Sequence, residues 1–357
     1  MGGVEQVINQ LARGSHKYGI NSEVLSLTPH QVPRTIEING YLSHRAKLNW
    51  HIASTSFSAS ALLRFAQLAK KADIIHYHFP WPFMDFVHFA TRVKKPTIIT
   101  YHSDIIRQKY LLQLYRPLKR LFLNDVDRII ATSPNYFTTS SVLEHYKHKV
   151  SVIPIGLDKS TYPIPSDIKT AYWKSRFGTD FFLFIGVLRY YKGLHILLEA
   201  AKGTNIPIVI IGAGPTEAEL KIQAQELGLS NIFFLGHVSD DDKVALLQLS
   251  YAIVFPSHLR SEAFGISLLE GAMYGKPMIS SEIGTGTSYI NIHNETGLVV
   301  QPGDANALRQ AMQYLLNNPA RAKIMGDKAH QRYSEHFTAD KMIQQYAAIY
   351  KQLAPHA

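Results

Sequence analysis

The stretch Phe255-Pro-Ser-His-Leu-Arg-Ser-Glu262-Ala-Phe-Gly265-Ile-Ser-Leu-Leu-Glu270 gathers the residue types most able to do chemistry. An apolar strand ends at Phe255, a loop follows, and Gly265 permits a tight turn into a helix. Glu262 then lies in the loop before that helix, and Glu270 sits about a turn and a half inside it. Amides exposed at a helix N-terminus bind phosphate. A carboxylate accepts paired hydrogen bonds from neighbouring hydroxyls. Together they suit a ligand that joins a diphosphate to sugar rings. Two ordinary helix-flanking glutamates would give the same spacing, because acids favour first turns for the macrodipole alone.

His102 closes a strand and opens a loop in Thr100-Tyr-His-Ser-Asp104. The C-terminal end of a strand is where open α/β sheets bind ligands, although a lone histidine also reads as a hydrogen-bonded structural residue. His76 and His78 end another strand, and three histidines so near invite a zinc site. No local metal-ligand spacing supports one, so no metal is expected there. Asp125-Val-Asp127 imitates a metal-binding Asp-x-Asp, but it immediately precedes the apolar run Ile129–Ala131. It reads as the end of a helix and the start of a strand. The segment from Ile105 to Phe122 mixes aromatic, aliphatic and basic residues, as a helix lying in a membrane interface does. A core-facing helix with solvated lysines fits the same pattern.

These residues need a scaffold, and the periodicities supply one. Val4, Val7, Ile8 and Leu11 mark a helix over Gly3–Gly14. Short buried-strand runs follow at Glu23–Leu27, Asp73–His78, Thr97–Tyr101 and Arg128–Thr132. The second half repeats the scheme at Phe181–Gly186, Pro207–Ile211, Ile232–Leu235, Ala252–Phe255 and Pro277–Ser280. Brief apolar runs alternating with helix-length segments imply parallel sheets covered on both faces, hence an α/β chain of two Rossmann-like, doubly wound domains. The boundary falls near Pro154–Pro165, dividing the chain into 1–160 and 161–339. A last helix over about 340–357 trails the second domain and is able to pack back on the first. A Rossmann half opens with a strand feeding a glycine turn, yet here the glycines are Gly2 and Gly3. The reading favours a natural chain that starts upstream of Met1 over a sheet without its central strand.

Composition narrows the functions. The chain has 357 residues, 46% hydrophobic and 18% charged, so disordered and fibrous classes are excluded. It has 0 Cys, which removes disulfides, thiolate metal sites and cysteine nucleophiles, and no run is long enough to span a bilayer. A cytoplasmic setting follows, or a membrane surface facing the cytosol. The net charge of +10 is one-sided: residues 1–160 hold 20 Lys+Arg against 10 Asp+Glu, and the remaining 17 of each sign cancel. A basic half implies an anionic partner, which leaves nucleic acid, anionic lipid and a phosphorylated substrate open beside a plain solvated surface.

The Glu-x7-Glu spacing with Phe264-Gly265 resembles glycosyltransferase family 4, retaining transferases of the GT-B fold. Further pieces arrive in that family's order: Gly2-Gly3-Val4-Glu5, Thr100-Tyr-His102, Val152-Ile-Pro-Ile-Gly156, Gly186-Val-Leu-Arg-Tyr-Tyr-Lys192-Gly193, Gly212-Ala-Gly-Pro215, Phe234-Leu-Gly236 and His293-Asn-Glu-Thr-Gly297. The match covers Gly2 to about Asp304, most of the chain.

The resemblance implies roles. Gly2 and Gly3 bring backbone amides close to a donor diphosphate, and Lys192 neutralises it. Glu262 holds the donor sugar's hydroxyls and Glu270 the nucleotide ribose. The amides of Phe264, Gly265 and Ile266 cap the leaving group, and the loop Gly236–Ser239, with Val238, lies beside the base. His102 faces the donor sugar across a cleft between the domains, so His102, Glu262 and Lys192 form the expected catalytic set. Where the family carries arginine after the glycine, this chain has Val187; Arg189 lies two residues on and reaches for the same phosphates. The expected activity is retaining transfer of a hexose, mannose from GDP-mannose, to a glycan acceptor on a polyprenyl diphosphate. Surface polysaccharide or O-antigen synthesis is the setting, at the cytoplasmic face of the membrane. No cofactor and no divalent metal are expected. A UDP-sugar donor, a same-fold UDP-hexosamine epimerase and a non-enzymatic nucleic-acid binder are the rival readings; against the last, no familiar nucleic-acid module is present.

Overall fold

In the computed structural model the described residues are 2–30, 33–52, 55–105 and 109–355. They form two compact units, Met1–Gly156 with Ala339–Ala357 (unit 1) and Leu157–Thr338 (unit 2).

Unit 1 opens with α1 (Gly3–Gly14), whose Val7 and Leu11 are buried as its apolar stripe requires. Then come β1 (Glu23–Thr28), β2 (Thr35–Ile38), β3 (Tyr41–Lys47), β4 (Trp50–Ile52), β5 (Thr55–Phe57) and α2 (Ala59–Lys71). After them the chain alternates: β6 (Ile75–Phe79), α3 (Pro82–Ala90), β7 (Thr97–Tyr101), α4 (Lys109–Asp125), β8 (Arg128–Ala131), α5 (Pro134–Thr139), α6 (Ser141–His145) and β9 (Val150–Val152). Strands β6-β7-β8-β9 form one parallel sheet, with Ile98, Ile99, Ile129 and Ile130 fully buried in it. The first strands differ from the expected all-parallel pattern. β1 pairs parallel with β3, β2 pairs antiparallel with β3, and β4-β5 is a separate hairpin. Polar residues such as Glu23, Ser26, Glu37, Ser43 and Arg45 interrupt the apolar ones, as in strands that are not buried on both faces. Among the described residues no strand precedes α1, and β1 and β6 are each the edge of their own sheet.

Unit 2 comprises α7 (Asp167–Phe177), β10 (Phe182–Ile185), α8 (Leu194–Ala201), β11 (Ile208–Ile211), α9 (Glu217–Glu226), β12 (Ile232–Gly236), α10 (Asp240–Leu249) and β13 (Ala252–Phe255). It continues through α11 (Ile266–Met273), β14 (Met278–Ser281), α12 (Thr287–Ile290), β15 (Gly297–Val300), α13 (Ala305–Asn317) and α14 (Pro319–His336). The final helix, α15 (Ala339–Leu353), lies against α1 in unit 1. The unit 2 sheet is wholly parallel in the order β12-β11-β10-β13-β14-β15, so chain direction across the sheet reverses between β10 and β13. Both faces are covered, and Phe182, Phe184, Leu197, Ile210, Val254 and Met312 are fully buried around it. In such a sheet the crevice beyond the strand ends at the reversal is the ligand-binding position. The loops after β10 and β13 meet there.

Candidate active site

Those two loops carry the residues singled out by sequence. The loop after β10 is anchored by buried Leu188, whose N–H bonds Ala213 O at 3.1 Å. It ends at Gly193 (φ 71°), where a Cβ would come within 2.0 Å of Pro256 O, so only glycine lets the loops pack together. His258 N–H reaches Tyr191 O at 3.0 Å and closes the same contact.

Within this frame Lys192 Nζ donates to Glu262 Oε2, and each side chain is only 11% exposed. Ser257 Oγ approaches the same oxygen at 3.4 Å, and the ammonium lies 4.8 Å from the Phe255 ring centroid. Removing either partner would strand a buried charge. Next to them Gly265 (φ 96°) turns the chain into α11, and Ser267 Oγ fixes that turn to Ile185 O at 2.6 Å. The amides of Phe264, Gly265 and Ile266 precede the Leu268 N–H to Gly265 O bond that opens the helix. A cation, a carboxylate and a helix N-terminus therefore converge at the strand-order reversal.

Glu270 is 4% exposed on α11 and does not stand alone. Its Oε1 accepts from Tyr162 Oη at 3.0 Å and from Lys243 Nζ at 3.1 Å. Burial pulls the Lys243 pKa down, but the Glu270 and Asp240 carboxylates together outweigh it and the net shift is upward. Asp240 lies 3.6 Å from the same ammonium. Neither Tyr162 nor Lys243 was expected from sequence. One stands among the linker prolines and the other follows three aspartates, and their relation to Glu270 is purely tertiary.

Other expected positions lie around this group. Gly236 ends β12 and accepts the Gly212 N–H at 2.8 Å, Val238 is half-buried, and Ser239 caps α10. Arg189 lines a cavity of about 270 Å³ with Tyr190, His195, Thr216 and Glu219, none of them in the Lys192–Glu262 group.

In unit 1, Gly2 caps α1 and its carbonyl accepts the Gln6 N–H at 3.1 Å, while Gly3 opens the helix. His102 follows β7, its N–H on Phe79 O at 2.9 Å. Asp104 holds the loop beyond it, accepting from Tyr101 Oη at 2.8 Å and Ser140 Oγ at 2.9 Å. His102 Nε2 meets His78 Nδ1 at 2.9 Å, and His78 stacks on His76 at 4.6 Å between ring centroids. Burial pushes the His76 and His102 pKa values down to about 3 and about 4, and that of His78 well below its usual range. Three neutral rings bonded or stacked on one another do not converge on a common point. Among the described residues no group of three or more His, Asp or Glu side chains is placed to hold a metal.

Asp125 and Asp127 have separate tasks. Asp125 Oδ2 pairs with His88 Nε2 at 2.7 Å, and Asp127 Oδ2 accepts the Thr97 N–H at 2.7 Å and its hydroxyl at 3.1 Å. Of the segment from Ile105 to Phe122, residues 106–108 lie outside the described residues.

Comparison with known proteins decides the family. Residues 1–161 match the model of Glycosyltransferase Family 4, and residues 169–332 that of Glycosyl transferases group 1. The chain belongs to glycosyltransferase family 4. It is 60% identical over 339 residues to the D-rhamnosyltransferase WbpZ of Pseudomonas aeruginosa, covering 95% of this chain and 89% of that protein. It is 48% identical over 355 residues to the O-antigen chain mannosyltransferase C of Escherichia coli, covering 99% of this chain and 95% of the other. Among solved structures, sucrose-phosphate synthase from Thermosynechococcus elongatus superposes with a TM-score of 0.81 at 22% identity, over 100% of this chain and 94% of that one. Anabaena HepE in complex with UDP gives 0.76 at 18%, over 98% and 96%. At these identities the likeness establishes the fold, which is GT-B with two Rossmann-like domains. The family-4 transferase is thus a glycosyltransferase, and its described residues include no helix long and apolar enough to cross a membrane.

Proposed function

We propose that this transferase moves a manno-configured hexose from a GDP-linked donor to a lipid-linked glycan in O-antigen synthesis, retaining the anomeric configuration. The carrying observation is the buried Lys192–Glu262 pair beside the start of α11. Lys192, with the amides of Phe264, Gly265 and Ile266, takes the diphosphate, whose charge grows as the sugar departs. Glu262 holds the sugar hydroxyls, and Glu270, paired with Lys243, holds the ribose. Gly2 and Gly3 add amides, Arg189 a second cation, and Gly236 to Ser239 border the base. His102 acts on the donor sugar. Lys192 is already desolvated and aimed, so little reorganisation is needed when the donor arrives. No enzymic nucleophile is assigned, so acceptor hydroxyl and leaving diphosphate share one face of the sugar.

The donor sugar rests on the names of the two relatives, a mannosyltransferase and a D-rhamnosyltransferase, because D-rhamnose is 6-deoxy-D-mannose. Metal independence rests on Lys192 and the helix amides, with Asp125 and Asp127 engaged by His88 and Thr97. Membrane association rests on unit 1. The β4-β5 hairpin exposes Trp50 and Ile52, α3 exposes Phe86, and α4 exposes Leu114 and Leu121 beside Arg116 and Arg120. These elements are neighbours, β5 packing on α3 and α3 on α4, and exposed apolar and basic residues of this kind suit a membrane surface.

Nucleoside diphosphate release from GDP-mannose, GDP-D-rhamnose, UDP-glucose and UDP-N-acetylglucosamine, with EDTA present, tests the reading. Release from a GDP-sugar with an axially retained product anomer by NMR is the expected result. Turnover of UDP-sugars alone, or an inverted anomer, contradicts it.

A further inference from the structure

One face of the β6-β7 sheet in unit 1 is polar where an apolar layer would be ordinary. His76 and His78, two residues apart on β6, share a side, and Thr100 of β7 stands opposite His78 in register. Helix α15 covers them with Tyr346 and Tyr350, one turn apart. His76 Nδ1 meets Tyr350 Oη at 2.6 Å, and His76 Nε2 meets Thr100 Oγ1 at 2.7 Å. Thr100 Oγ1 in turn lies 2.7 Å from Tyr346 Oη. Both ring nitrogens of His76 are thereby used, and its plane is fixed. His78 stacks on that plane and bonds His102. Among the described residues neither His102 Nδ1 nor His78 Nε2 has a protein hydrogen-bond partner.

We propose that His78 is a positioning residue for sugar transfer, occupying His102 Nε2 so that His102 presents only Nδ1 to the donor. The inference rests on the reading of His102 given above. The 2.9 Å contact between two neutral imidazoles requires one nitrogen to carry the proton and the other to accept it. His78 thus couples the tautomer of His102 to its own, and the stack on His76 sets the angle from which this is done. Helix α15, remote in sequence, holds the far end of the stack through Tyr350.

Three variants of the full chain separate the possibilities. His78→Leu keeps volume without a hydrogen bond, whereas His78→Asn places an amide where Nδ1 stood. With whichever nucleotide sugar the wild type turns over, His78→Leu is expected to lower kcat about tenfold or more while donor KM stays within about twofold. His78→Asn is expected to recover most of that rate. In ¹⁵N spectra of the donor-free protein, the His102 ring signals are expected to shift in the Leu variant and return towards wild type in the Asn variant. In a His102→Ala background, adding His78→Leu is expected to cost nothing further. Equal loss in the Leu and Asn variants, or unchanged His102 signals in the Leu variant, overturns the proposal. An impaired His102→Ala beside an unimpaired His78→Leu overturns the positioning role alone. Full activity in His102→Ala overturns the reading of His102 itself and any action through it.

Discussion

In unit 2 the residues at the ends of the parallel strands are charged and paired, Lys192 with Glu262 and Lys243 with Glu270. In unit 1 the residues near the equivalent place, His76 and His78 on β6 and His102 after β7, are imidazoles held neutral by burial. The sheets differ too: unit 2 has one continuous parallel sheet with a single order reversal, and unit 1 has separate pieces. Binding a diphosphate requires fixed positive charge that is already desolvated. Meeting a neutral sugar requires a hydrogen-bonding edge that adds no charge. The contrast suits the unit 2 strand ends to an anionic ligand group and gives those of unit 1 uncharged hydrogen-bonding edges.

The sharpest way to break this contrast is to remove a charge from unit 2. Lys192→Ala is expected to reduce transfer by on the order of a thousandfold. It also leaves Glu262 buried and unpaired, at a cost of about 3 kcal/mol in urea unfolding. Adding Glu262→Gln is expected to recover part of that stability and none of the activity. If rate and stability recover together, Lys192 is structural. A smaller effect is expected at Lys243→Met, which takes a charged hydrogen bond from Glu270. Donor KM is expected to rise about tenfold with kcat nearly unchanged, and steady-state kinetics over donor concentration would show a fall in kcat if the assignment is wrong.

The neutral side of the contrast answers to pH. His76 and His102 titrate at about 3 and about 4 when folded, against 6.5 ordinarily, so the unfolded chain binds more protons in between. Their contribution to stability is complete above about pH 6.5 and is lost as pH falls towards 4. Amide exchange in β6 and β7, corrected for its intrinsic pH dependence, is therefore expected to lose protection from pH 7 to pH 5. Equal protection at both values removes the neutral-histidine account. The smallest expected effect is none: EDTA leaves the rate unchanged, and loss of activity restored by manganese contradicts that.

How much of this was legible in the sequence follows the same division. Elements with a clean period were readable: α1 from Val4, Val7, Ile8 and Leu11, β7 from Thr97–Tyr101, and β13 from Ala252–Phe255. Strands β2 to β5 were not: Tyr41-Leu-Ser-His-Arg-Ala-Lys47, for one, carries no apolar run although it is the central strand of its three-stranded sheet. Strand β9, with three residues, was too short to stand out. Glu262, Glu270 and Lys192 could be named from spacing and resemblance. Their partners could not: Tyr162 stands 108 residues before Glu270, and Tyr350 stands 274 after His76. Only packing brings such pairs together. The histidines themselves were visible, but their order as a stack under α15 was not.

The central claim is that unit 2 grips the donor's reacting end with Glu262 and its spectator end with Glu270. Kinetics of Glu262→Gln and Glu270→Gln over a range of donor concentrations test it most directly, since Gln keeps shape and one acceptor. If Glu262 acts where geometry and charge change, its variant should lose kcat by on the order of a hundredfold, about 2.7 kcal/mol of transition-state stabilisation. If Glu270 contacts a part that does not react, its variant should raise KM more than it lowers kcat. A Glu262 variant altered only in KM, beside a Glu270 variant altered only in kcat, would contradict the account.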